Sequence, residues 1–175
     1  MLRRPKKKEL KVICSALRAF GSLEFLKNNE LLVNEDREVY ALSKDLVKFL
    51  ELHKINHVVA GIKVGEVGGR RFRFSLEGTF YLVRKNKKKV FVNERGEMLF
   101  LYGRDIFAES VVDITEDVKE NDIVFVCNKR GDILGIGRTR FDAERIKDVA
   151  KDRVVVENLV DRGEYLRKER TYNAY

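Results

Sequence analysis

The residues with the most chemistry to offer are arginines and lysines that recur in short clusters. Arg138 and Arg140 stand two apart in Gly135-Ile136-Gly137-Arg138-Thr139-Arg140-Phe141. In an extended strand that spacing sends both guanidinium groups to one face. The two glycines would strip side chains from the strand and expose backbone beside them. Arg145, Lys147, Lys151 and Arg153 follow. Guanidinium groups clamp phosphates bidentately and stack on unpaired bases, while lysines supply point charges. Asp142, Glu144, Asp148 and Asp152 interleave with them, so the segment by itself also fits a neutral, solvated face. Three more clusters lie upstream: Arg3–Lys8, Arg70-Arg71-Phe72-Arg73, and Arg84-Lys85 with Lys87-Lys88-Lys89. One basic run is commonly a solvated tail or face. Three in the same half point to contact with a polyanion, because each neutralised phosphate releases counterions and tightens binding.

The charge is divided unevenly along the 175 residues. Lys+Arg number 36 and Asp+Glu 28, a net charge of +8. Residues 1–95 hold 22 and 11, and residues 96–175 hold 14 and 17, so the halves carry +11 and −3. Such asymmetry predicts two units, 1–95 and 96–175, with different surfaces. Pro5 is the sole proline and no Ser/Gly-rich linker separates the halves, which predicts two docked units rather than two tethered ones.

Catalytic and metal chemistry find little support. His53 and His57 have the i, i+4 spacing of a helical metal pair. No cysteine lies near them, and they straddle a predicted helix end, which favours ordinary helix-end histidines. Gly61, Gly65, Gly68 and Gly69 lie in strand-like sequence and open no helix, so a dinucleotide loop is not indicated. Cys14 and Cys127 are too far apart in sequence for a ligand motif and read as small buried hydrophobes of a reducing compartment. The expectation is a protein with no cofactor, no metal and no enzymatic activity. No apolar run reaches the ~20 residues of a membrane span, and the basic start leads into no signal-peptide stretch, so a cytoplasmic protein is expected. Gln and Trp are absent and both signs of charge are dense, the habit of heat-adapted proteins.

Several elements would position these groups. Leu10, Ile13, Leu17 and Phe20 form a helical stripe over 8–20, closed by Gly21. Strands around 31–33 and 39–42 flank a polar turn. Ser43 caps a helix over 44–53 whose Leu46, Val47, Phe49 and Leu50 are predicted to face inward. A strand over 58–67 turns through Gly68-Gly69 into a strand over 71–76, and 79–84 leans to helix. Residues 89–92 and 97–101 read as a hairpin, and 104–109 as a short helix. Strands at 111–115, 123–127, 133–140 and 153–159 then follow at the close spacing of a small barrel or sandwich.

Phe100-Leu101-Tyr102-Gly103, Asp122–Cys127, Leu134–Gly137, Val154–Val156 and Asp161-Arg162-Gly163-Glu164-Tyr165-Leu166-Arg167 resemble a PUA domain. Together they resemble the Nip-seven family of ribosome-biogenesis proteins. The resemblance implies an α+β protein: an N-terminal α/β domain with an antiparallel sheet and flanking helices, then a C-terminal PUA β-pseudobarrel. It implies a non-catalytic RNA-binding role in pre-rRNA processing and large-subunit assembly, with single-stranded U-rich RNA and other assembly or RNA-processing proteins as partners. Arg138, Arg140, Arg145, Lys147 and Lys151 match the family's basic positions after the glycine strand. Arg70, Arg71, Arg73, Lys85, Lys87 and Lys88 would extend the track across the first half. The sequence departs from many PUA domains at Glu109-Ser110-Val111, where a glycine usually lets the loop approach RNA. An RNA-modification enzyme or accessory subunit, and a protein-docking adaptor, are the competing readings.

Overall fold

A computed structural model describes residues 1–55, 59–83 and 85–169, with the side chains of 168 and 169 outside that description. His57, the start of the strand expected from 58, and Arg84 therefore lie outside the described residues. The chain divides into two compact units, Met1–Lys85 and Asn86–Tyr175. The basic run 87–89 thus belongs to the second unit, ahead of the 95/96 boundary drawn from charge. With the division placed there, the first unit holds 18 Lys+Arg and 10 Asp+Glu and the second 18 of each, or +8 and neutral.

The first unit opens on helix α1 (Lys7–Ala19), which buries Ile13 and Leu17. Glu9 fixes its start: the carboxylate accepts from the Lys6 backbone N–H at 2.7 Å and from the Arg3 guanidinium at 2.8 Å. Leu10, expected on the inward stripe, is exposed. Gly21, at φ +69°, turns the chain into a 3-10 turn over Leu23–Lys27; glycine reaches that left-handed region without the steric cost of a Cβ. Strands β1 (Asn29–Val33) and β2 (Glu38–Ser43) pair antiparallel. The Ser43 hydroxyl caps α2 (Lys44–Leu52) by accepting from Leu46 N–H. Of the residues predicted to face inward, Val47 is buried but Phe49 points to solvent, beside His53 at 4.4 Å between ring centres. Strands β3 (Ile62–Val67) and β4 (Phe72–Phe74) complete a sheet ordered β1-β2-β3-β4, and α3 (Leu76–Leu82) packs back on β3. Gly78 permits that approach, since a Cβ there would sit 2.6 Å from the Val64 carbonyl oxygen.

The second unit starts with β5 (Lys89–Val92) and α4 (Glu94–Leu101). The hairpin expected over 89–101 does not form. Instead Asn93 caps a helix by accepting from Gly96 N–H at 2.9 Å, and Phe100 is driven fully into the core. β5 finds partners elsewhere, parallel to β8 (Ile123–Cys127) and antiparallel to β7 (Val111–Ile114). The helix expected at 104–109 is instead β6 (Ile106–Phe107) and a 3-10 turn at Ala108–Ser110. β9 (Ile133–Thr139), α5 (Ala143–Ile146), β10 (Val154–Asp161) and α6 (Gly163–Glu169) follow. The six strands run β6-β10-β9-β8-β5-β7 around a core of Val90, Val92, Phe100, Ile106, Val124, Val126, Val155 and Val156. The result is an α+β protein with an antiparallel sheet and helices first and a near-barrel second.

Gly135 and Gly137 do not expose backbone as expected. Both are buried, and a Cβ would lie 2.3 Å from the Val160 carbonyl oxygen at Gly135 and 2.4 Å from a Val156 methyl at Gly137. They are small because the irregular antiparallel pairing with β10 brings its backbone and the Val156 side chain into the space that a Cβ would take.

Candidate nucleic-acid interface

Arg138 in β9 and Arg140, one residue past its end, reach the same carboxylate on β10. Glu157 stands opposite Arg138 in the ladder. Its Oε1 accepts from Arg140 Nη2 at 2.9 Å and Nε at 3.1 Å, and its Oε2 lies 3.8 Å from Arg138 Nη1. All three side chains are partly solvated, so the pairing is weak, on the order of 0–1 kcal/mol, and open to exchange. The three groups together therefore carry a net charge of +1 rather than +2. Nothing in the sequence announced Glu157, because only the β9–β10 register brings it opposite the arginines.

Beyond β9 the cations are freer. Arg145 on α5 lies 5.5 Å from the centre of the Phe141 ring, a cation–π contact that holds the guanidinium at the surface. Lys147 and Lys151 are exposed and line a groove of about 500 Å3. Its apolar wall is Val111, Val112, Ile114 and Val149, and Glu109 and Asp113 also border it. Neither lysine forms an ion pair among the described residues. Glu109 is engaged with Arg95 at 3.3 Å. A groove with cations at its rim and an apolar wall can take a sugar–phosphate backbone against the lysines and the face of a base against the valines.

The upstream clusters separate. Arg70, Arg71 and Arg73 are exposed around the β3–β4 turn, with no ion pair among the described residues. Lys85 is exposed and 3.8 Å from Glu24, and Lys87 is exposed. Lys88 does not belong to the exposed set. Its side chain is 17 % exposed, and its ammonium donates to Asp122 at 2.5 Å and to the Asp117 carbonyl oxygen. Its backbone N–H also donates to Asp117, from a left-handed backbone at φ +52°. Lys88 ties β5 to the β7–β8 connection and is a structural cation.

One groove was not foreseen. Arg95, Leu99, Arg104, Asp105, Phe107 and Val154 surround about 470 Å3 between α4 and β6. Arg104 is exposed there, while Asp105 is occupied in accepting from Asn158 N–H at 2.9 Å. The only sequence signal would have been an arginine after Phe100–Gly103 with Phe107 three further on, a pattern too common to select. Among the described residues no group of three or more His, Cys, Asp and Glu could hold a metal ion, and no helix is long and apolar enough to cross a membrane.

Comparison with known proteins matches the pre-PUA domain of the NIP7/UPF0113 family over residues 2–76 and the UPF0113 PUA domain over residues 88–170. A UPF0113 protein of Archaeoglobus fulgidus is 55 % identical over 175 residues, spanning 99 % of this chain and 98 % of its own length. The 60S ribosome subunit biogenesis protein NIP7 of Saccharomyces cerevisiae is 26 % identical over 182 residues, spanning 97 % and 98 %. A conserved PUA-domain protein of Thermoplasma acidophilum shares the fold with a TM-score of 0.67 at 19 % identity, over 97 % of this chain and 99 % of that one. A hypothetical protein of Pyrococcus horikoshii gives 0.66 at 22 %, over 92 % and 94 %. With both domains matched in order, by a family model for each and by a relative of near-equal length, this chain belongs to the NIP7/UPF0113 family.

Proposed function

We propose that the chain is a non-catalytic RNA-binding protein of the cytoplasm that acts in pre-rRNA processing and assembly of the large ribosomal subunit. Its RNA is single-stranded and U-rich, and other assembly or RNA-processing proteins act beside it. The observation that carries the reading is the pair Lys147 and Lys151, unpaired among the described residues at the rim of an open groove in the PUA unit. Arg145 adds a third cation beside them, and Arg138 and Arg140 contribute once a phosphate displaces Glu157. The assembly role is supported by the names of the yeast, fission yeast and animal relatives, which are 60S ribosome subunit biogenesis proteins. Arg70, Arg71, Arg73 and Lys85 of the first unit and Lys87 of the second are proposed as further basic contacts to RNA.

Titration of a labelled U-rich oligonucleotide at several salt concentrations tests this. With about four phosphates neutralised, log affinity falls with log salt at a slope of roughly −3 for single strands. Lys147→Glu with Lys151→Glu should abolish most of the binding at moderate salt. A flat salt response, or unchanged affinity in the double variant, removes the PUA groove from consideration.

A further inference from the structure

We infer that the first unit carries a pocket for a single unstacked nucleobase with its 5′-phosphate, separate from the PUA groove. The cavity, about 400 Å3, is within the usual span of small-ligand sites, roughly 300–1,000 Å3. Its floor is the sheet, at Ala41 and Ile62. One wall is the 3-10 turn after α1, with Phe25, Asn28 and Asn29, and the other is the end of α3, with Tyr81. The Ser22 hydroxyl donates to the Leu82 carbonyl oxygen and so locks the two walls together. The cavity is therefore built into the fold and does not depend on loops closing.

Four features select the ligand. Phe25 and Tyr81 offer flat aromatic surface in the lining, and base–aromatic stacking suits any base. Asn28 brings a side-chain amide that can both donate to and accept from a base edge, while Asn29, whose amide nitrogen donates to the Phe25 carbonyl oxygen at 3.0 Å, offers its oxygen as an acceptor. Lys85 stands at the rim, 3.8 Å from the solvated Glu24, which also lines the cavity, an ion pair that a phosphate displaces readily. Phe80, 67 % exposed, packs edge-on against Tyr81 with ring centres 5.1 Å apart, giving a neighbouring base a second platform outside the cavity. An apolar peptide side chain would use the rings but offer nothing to the Asn28 amide and no anion to Lys85.

The shared chemistry of a base plus a phosphate can come from a free nucleotide or from a residue of an RNA strand. The whole chain is titrated with UMP, CMP, AMP and GMP and with their nucleosides, followed by ligand-detected NMR. In a second arm, an oligonucleotide carrying 4-thiouridine is photo-crosslinked and the attached peptide is mapped. The monophosphates are expected to bind, and Tyr81→Ala to weaken them about ten-fold, in line with the ~1–3 kcal/mol of one stacked base. Tyr81→Phe keeps the affinity, which separates lost stacking from misfolding. Lys85→Gln lowers the monophosphate to the affinity of its nucleoside and leaves the nucleoside unchanged. Crosslinking at Tyr81 assigns the site to an RNA strand; monophosphate binding without crosslinking assigns it to free nucleotides. The double variant Lys147→Glu, Lys151→Glu must retain monophosphate binding, so failure of the PUA groove and failure of this pocket are read independently. The inference is overturned if monophosphates do not bind and nothing crosslinks at Tyr81, or if Tyr81→Ala binds as well as the parent.

Discussion

Arg167 of α6 grips Asp161 at the end of β10 through two parallel hydrogen bonds of 3.0 and 2.9 Å. The same guanidinium donates to the Leu101 carbonyl oxygen at the end of α4. Gly163 passes so close to that carbonyl that a Cβ would lie 1.8 Å from it. Phe100–Gly103 and Asp161–Arg167, the two stretches that most marked the family in the sequence, are thus one joint. They meet because α6 must be fastened across the end of the barrel, and they mark the fold rather than the RNA-binding surface.

That joint is asymmetric, and the asymmetry is testable. The Asp161 side chain is 3 % exposed and Arg167 is 40 % exposed. Removing the arginine leaves a buried carboxylate without its cationic partner, whereas removing the acid returns the guanidinium to water. Arg167→Leu should therefore lower the thermal unfolding midpoint more than Asp161→Asn. The reverse order would mean that α6 is held chiefly by other interactions.

Gly135 pairs with Asp161 of β10 and has no room for a methyl group. Gly135→Ala should destabilise the second unit by about 1–3 kcal/mol, the usual cost of overpacking a filled core. Denaturant unfolding with equal m-values would register it as a shift in midpoint.

Glu157 restrains Arg138 and Arg140, so neutralising it should strengthen RNA binding. Glu157→Gln is expected to raise affinity for a U-rich oligonucleotide at low salt and to steepen the salt slope by about 0.7 for each further phosphate that the freed arginines neutralise. Arg138→Glu with Arg140→Glu should weaken binding. If the Gln variant binds no better and the slope is unchanged, the β9 face lies outside the RNA path.

Two carboxylates of the first unit make its stability acid-sensitive. The Arg3 guanidinium, hydrogen-bonded to Glu9, lowers its carboxyl from 4.5 to about 2. Lys63 at 2.6 Å, with Tyr40 and Asn34, brings Glu38 to about 2. Because both folded values lie below the unfolded one, their stabilisation is complete above about pH 4.5 and is lost as pH falls toward 2. Acid unfolding followed by circular dichroism should be shallower in Glu38→Gln, and a parallel loss in that variant would point to other groups.

Burial raises the Cys127 thiol to about 11. A fully buried, protonated thiol is a poor nucleophile. In the native protein Cys127 should resist a disulfide reagent at about pH 8 and react only once the chain is unfolded.

Local pattern was enough for much of this protein. Alternating and β-branched runs marked the strands at 123–127 and 133–139, Ser43 marked the start of α2, and the quoted stretches identified the PUA fold. These are decided by neighbours within a few residues, through backbone preference and capping. Residues 97–101 form a helix rather than the expected strand because their apolar run suits either, and only the Asn93 cap and the core space that receives Phe100 select helix. The candidate surface was legible as a set of cations but not as a site. Lys88 and Lys87 are adjacent in sequence, yet one is bound inside to Asp122 and the other is exposed. Glu157 neutralises part of the arginine pair, 17 residues from Arg140, and Tyr81 lines one cavity with Phe25 and Asn28. Charge is fixed by composition, but whether a charge is free depends on which groups the folded backbone places within about 4 Å of it, where attraction outweighs solvent screening.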